Sequence, residues 1–156
     1  MFVQLLALIA ILLCCAVGTV VGLQDRTLTI TQALPNGAAT VSSAGIDLES
    51  TPVTADFVPH VEFTVTIPAL TVTELADTQT ITYSVETSAA SNFSSPTVLI
   101  SSLAVQTGAG GIGALGSTQR FQVATNSQRY VRVKAVKTGA SNASTSSMIF
   151  RLVQLG

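Results

Sequence analysis

The chain has 156 residues, of which 47% are hydrophobic and only 10% charged, and its formal net charge is −1. That length holds one domain with a sizeable core. The near-neutral balance excludes a chain drawn as a whole to nucleic acid or acidic membranes. With Cys14 and Cys15 its only cysteines, the body from Leu23 onward has no disulfide staple. Thr, Ser, Val and Ala dominate that body, and β-branched side chains suit a pleated surface.

Met1 to Leu23 carries no charged side chain and one strongly polar residue, Gln4. As a helix it would be on the order of 33 Å long, enough to cross a bilayer. Four readings fit: a signal peptide ending near Ala16-Val17-Gly18, a membrane anchor, an apolar arm buried between subunits, or an over-extended gene start. Residues 24–156 then form a single β domain.

Asp25 to Gln32 is the first expected strand, followed by a Leu34-Pro35-Asn36-Gly37 turn. Thr40 to Leu48 reads as a short strand, and Ser50 to Pro59 as an irregular connection. Val61-Glu62-Phe63-Thr64-Val65-Thr66-Ile67 alternates apolar and polar residues throughout, as a half-buried strand does. Pro68 ends it. Thr80 to Glu86 alternates likewise. Thr97 to Val105 has a continuous apolar centre, and Gly108 to Ser117 reads as a mobile loop by composition. Arg120 to Val123, Tyr130 to Ala135 and Met148 to Leu155 complete about eight strands. No helix is expected after residue 23. The pattern predicts an all-β, jelly-roll-like antiparallel sandwich.

The charges are unevenly placed. Eight acids and one base, Arg26, lie between Leu23 and Glu86; six bases and no acid lie between Thr87 and Gly156. Either a sandwich interleaves the two halves, or the surface is bipolar and meets complementary patches on neighbours.

Few motifs carry chemistry. Gly111-Ile112-Gly113-Ala114-Leu115-Gly116 matches G-x-G-x-x-G, but a strand follows where a phosphate-binding helix is needed, and no acid lies downstream. The glycine loop, with Gly110, Gly111, Ile112 and Gly113, is instead a candidate protein contact that orders on a partner. His60 is the only histidine; with Asp56 and a serine it would need a nucleophile elbow, which is absent. The body has too few nitrogen and sulfur ligands for zinc. Asp47 with Glu49, and Glu74 with Asp77, are carboxylate pairs placed at strand ends and turns, where acids are ordinary solvated groups. No catalytic residue, metal or cofactor is expected.

Tyr130, Arg132 and Lys134 share one face of a basic strand. Such cations protect a sheet edge or dock an acidic neighbour. They are too few, with too few aromatics, for nucleic acid. Asn92-Phe93-Ser94 and Asn142-Ala143-Ser144 fit the glycosylation sequon, which matters only in a eukaryotic secretory setting.

The order Thr80-Ile81-Thr82-Tyr83-Ser84-Val85-Glu86-Thr87-Ser88, Asn92-Phe93-Ser94-Ser95-Pro96-Thr97, Arg120-Phe121-Gln122-Val123 and Gln128-Arg129-Tyr130-Val131-Arg132-Val133 resembles capsid cement or decoration proteins of tailed bacteriophages, typified by one from a Bordetella phage. The likeness covers roughly Leu23 to Gly156, including Ile46-Asp47-Leu48; the apolar leader departs from it. It implies a non-enzymatic virion protein on the outer capsid surface. Copies cluster there, often as homotrimers, and clamp neighbouring major capsid proteins. A secreted or membrane-anchored β-sandwich binding module, such as an adhesin or pilus-like domain, is the alternative reading. A membrane is a partner only if residues 1–23 act as an anchor.

Overall fold

Alternation over the first long strand sets the pattern for the whole molecule. In β4 (Val61–Ile67), Val61, Phe63, Val65 and Ile67 are buried, while Glu62, Thr64 and Thr66 are not. A period of two leaves one face for the core and one for solvent. The computed structural model describes residues 28–49 and 61–154. The other strands, in order, are β1 (Thr29–Ala33), β2 (Thr40–Ser42), β3 (Ile46–Asp47), β5 (Thr80–Ser88), β6 (Thr97–Thr107), β7 (Ser117–Gln122), β8 (Tyr130–Lys137) and β9 (Ser147–Gln154).

These strands make two antiparallel sheets. One runs β1-β9-β4-β7, the other β2-β8-β5-β6, with β3 also paired to β8. Neighbours within each sheet come from distant parts of the chain, except in the β5–β6 hairpin, as in a jelly roll. The described residues contain no helix. The core lies between the sheets: Phe63 packs on Phe121 and Phe150 with ring centroids 5.3 and 4.9 Å away, and Ile81, Tyr83, Val85, Val131 and Val133 close it from the other sheet. Offset aromatic contacts of this kind add to the burial term.

The expected strand from Thr40 to Leu48 is two strands. Between them the Ser43 backbone N–H donates to Val133 O at 2.8 Å, and the Ser43 hydroxyl accepts from Val133 N–H at 3.1 Å. A side chain thus occupies a ladder position and breaks the strand. Gly45 follows, where a Cβ would press on the Phe93 ring. The connection from Ser50 to Pro59, His60, Asp56 and the segment before Leu28 lie outside the described residues.

Strand β6 runs out of step with β5 at two places. Tyr83 pairs with Ala104 and Val85 with Ile100, so four steps along β6 match two along β5; a further slip separates Val85 from Glu86. Ala104 to Thr107 keeps a one-to-one register with Thr80 to Tyr83, and beyond the slips Val98 and Thr97 fall into step again with Glu86 and Thr87. Extra residues bend a strand and raise its twist.

Candidate functional site

Pairing of distant strands decides where the charges go. Asp47 takes a two-pronged contact from Arg129, with both N···O distances 2.8 Å. Glu62 meets Arg120 at 3.3 Å. Glu86 accepts two bonds from Arg132, at 2.9 and 2.7 Å, and one from Lys134. Every ion pair among the described residues joins an acid of the first half to a base of the second. The unequal halves therefore interleave, and these pairs close within the chain.

Glu86 shows how deeply. It is 2% exposed although its position in β5 points away from the core. Phe93, at a left-handed φ of 51°, turns its buried side chain over this outer face, and the Arg132 guanidinium lies 4.2 Å from its ring centroid. Burial alone would raise the Glu86 pKa; Lys134 and Arg132 more than offset it and hold the carboxyl below its ordinary value. Tyr130, Arg132 and Lys134 do share the outer face of β8, as alternation predicts. Arg132 and Lys134 are spent on Glu86, and Arg129 lies 5.2 Å from the Tyr130 ring centroid.

Large apolar exposure is concentrated elsewhere, at the loop joining β6 to β7, residues 108–116. Ile112 is 77% and Leu115 84% exposed, and Val105 projects beside them from the end of β6. Between loop and strand lies an open groove of about 560 Å³, with Leu70, Ala104, Gln106 and Ala114 among its lining residues. From Thr87 to Gln119 the sequence contains no charged residue. The groove's lining carries no charged side chain, and the nearby acid, Asp77, is tied to the loop at Gly111.

The loop, expected to be mobile, is tied at many points. Leu70 and Ala114 exchange backbone bonds of 2.8 and 2.9 Å. Gly108 N–H donates to Gln79 O at 3.0 Å, and Gly108 O accepts from Thr78 N–H at 2.9 Å. The Asp77 carboxylate accepts from Gly111 N–H at 2.9 Å. Gly110 and Gly111 turn the chain at φ of 64° and 70°, in open space. Gly113 is different: at φ 85° its missing Cβ would strike the Leu70 carbonyl oxygen. Glycine here permits close packing, a use that composition does not distinguish from flexibility. The G-x-G-x-x-G string is followed at once by β7, so it has no helix end for a phosphate.

Beneath the loop, Gln106 is buried and fully paired. Its amide N–H groups donate to Pro68 O at 2.8 Å and Leu115 O at 2.9 Å, and its Oε1 accepts from the Tyr83 hydroxyl at 2.7 Å. Glu74 joins the β4–β5 loop to the β8–β9 loop. Its carboxylate accepts from Ser146 and Thr145 hydroxyls at 2.6 and 2.9 Å, and from Thr71 N–H and hydroxyl at 3.0 and 2.9 Å. These bonds, Ser146 first, bring its pKa down to about 2. Lys137, also buried, donates to Gln79 Oε1, Gly139 O and Ser141 Oγ at 3.0, 3.2 and 3.0 Å; desolvation lowers its pKa.

The carboxylate pairs of the sequence thus separate into local structural tasks. Asp47 holds Arg129 and also accepts from Glu49 N–H at 2.8 Å, while Glu74 and Asp77 bind different loops. Asn92 and Asn142 each close a turn through the side-chain oxygen, on Ser94 N–H at 3.1 Å and Ser144 N–H at 2.9 Å. Among the described residues no group of three or more His, Cys, Asp or Glu is placed to hold a metal, and no helix is long and apolar enough to cross a membrane. Sequence reading named Ile112 but missed Leu115, Val105 and the supporting Gln106. The long uncharged run was the available signal.

Fold and surface together define a jelly-roll-like β-sandwich with an uncharged apolar groove on one flank. No protein-family model, curated protein or solved structure matches the chain.

Proposed function

We propose that this chain is a non-enzymatic virion protein that decorates a tailed-phage capsid and cements it by bridging neighbouring major capsid proteins. The observation that carries the reading is the β6–β7 flank: two large apolar side chains, Ile112 and Leu115, held out on a tied loop beside a neutral groove. Contiguous exposed apolar surface of this kind marks a contact with another protein. A preorganised loop loses little entropy on docking, so more of the contact energy is kept. The likeness of strand order and motifs to phage cement proteins supplies the class of partner. A protein that binds the assembled shell and not its loose subunits stabilises the shell by mass action, and many copies add avidity.

The test is made on particles of the virus that encodes the chain. Mass spectrometry should find it in stoichiometric amounts with the major capsid protein, and particles lacking it should open at lower temperature. Its absence from particles, or equal melting with and without it, overturns the reading.

The apolar run of residues 1–23 favours a second reading, a membrane-anchored binding module. Recovery of the chain from membranes, and not from particles, would select it.

A further inference from the structure

We propose that the groove on the β6–β7 flank is the seat of the apolar segment Met1–Leu23 of a neighbouring copy, so that copies join head to tail. The inference rests on reading this flank as a contact surface and assigns its groove to contact between copies, so that the joined copies, and not the open groove, meet the capsid.

Four observations carry it. Chemistry comes first. Met1 to Leu23 has no charged side chain, and neither has the lining of the groove, which takes Ala69 and Leu70 from one loop and the rest from Ala104 to Ser117. Elsewhere the described surface carries charged groups, such as Asp47 with Arg129 and Glu62 with Arg120, and an apolar strand laid across them would desolvate charge. Second, a buried segment needs partners for its own backbone groups. Strand β6 ends its sheet, and among the described residues no strand pairs with its outer edge. The bulges bend most of that edge, but Ala104 to Thr107 is regular and lies in the groove wall. One short ladder there, with Ile112 and Leu115 closing over it, is strand addition to an exposed edge.

The third observation is where the segment leaves. It precedes β1, which lies at the opposite edge of its sheet from β7. The described chain thus begins beside the edge of the sheet that lies away from β7 and the groove. An interface between unlike patches is heterologous, and closes into a ring when the rotation allows. Fourth is length. Fully extended, residues 1–23 span roughly 75 Å at about 3.3 Å per residue, ample to reach an adjacent copy of a domain this size.

The experiment uses the full chain. Its mass in solution is measured by native mass spectrometry and sedimentation, beside a chain lacking residues 1–23 and the double variant Ile112→Asp, Leu115→Asp. The full chain should form a defined oligomer. Both altered chains should remain folded by circular dichroism and lose assembly affinity by at least ~tenfold, as central apolar contacts do when removed. Leu115→Cys in the full chain should crosslink to Cys14 or Cys15 of another copy, visible as a band at twice the chain mass under non-reducing conditions. A full chain that stays monomeric overturns the proposal. So does a shortened chain of unchanged oligomeric mass, a crosslink found only within one chain, or a native protein that lacks residues 1–23. Shells still retained and stabilised by the shortened monomer would remove the arm and leave the capsid reading standing.

Discussion

The Tyr83 hydroxyl donates to the Gln106 side-chain oxygen at 2.7 Å inside the core, and through that bond β5 sets the position of the β6–β7 loop. The same Gln106 amide holds Pro68 O and Leu115 O, one in each neighbouring loop. A buried amide is stable only when its donors and acceptors are met. Gln106→Met should therefore destabilise the protein by about 2–4 kcal/mol, since it orphans two carbonyls and the buried tyrosine hydroxyl. Tyr83→Phe should cost only about 1–2 kcal/mol. Urea unfolding of the two single variants and the double variant should show a shared energy, the double costing less than the sum.

Glu86 anchors the outer face of the second sheet. Glu86→Gln leaves Arg132 and Lys134 side by side without an anion in a mostly buried setting. The expected loss is about 3 kcal/mol, the usual penalty for breaking a buried pair from one side. Asp47→Asn should cost less than about 1 kcal/mol, because the Asp47–Arg129 pair is solvent-screened. Thermal unfolding of the two variants checks the contrast.

Acid should loosen the contact between the β4–β5 and β8–β9 loops. Glu74 has a folded pKa of about 2 against an ordinary 4.5. A depressed carboxyl contributes stability that is complete above about pH 4.5 and is lost as pH falls toward 2. Allowing for partial solvent exposure, that contribution is on the order of 1–2 kcal/mol. Glu74→Gln should remove it at neutral pH and flatten the acid slope. Urea midpoints from pH 7 down to 2 read this directly; an unchanged slope would mean that the Ser146 and Thr71 bonds do not form in solution.

The loop glycines should divide by what surrounds them. Gly113→Ala places a Cβ against Leu70 O at a left-handed φ and should destabilise by about 2–3 kcal/mol. Gly110→Ala meets open space, so only the backbone term of about 1 kcal/mol remains. Hydrogen exchange at Leu70 and Ala114, whose backbone groups pair across the loop, should accelerate in the first variant only.

Much of the architecture is legible in the sequence because its signals are local. Val61 to Ile67 alternates with hardly a fault, so its existence, its inward face and its end at Pro68 follow directly. The same holds for Tyr130 to Ala135, but the strand runs on to Lys137, where an apolar Val136 is exposed and the cation is buried. Boundaries shift where backbone geometry intervenes: β7 starts three residues before Arg120, at Ser117, and the expected Thr40 to Leu48 strand breaks at Ser43.

An all-β chain of alternating strands, an uncharged run from Thr87 to Gln119, and an excess of acid before residue 87 and of base after it can all be read along the chain. Period and composition are properties of neighbours along the chain, and need no knowledge of what lies opposite. That Glu86 meets Arg132 and Lys134, that Phe93 lies over Arg132, and that Gly113 marks a close approach to Leu70 emerges only once the chain is folded. Those facts depend on strand register and on loops from distant sequence packing together. A side chain's partner across a sheet is set by which strands pair, and a one-residue slip would change it.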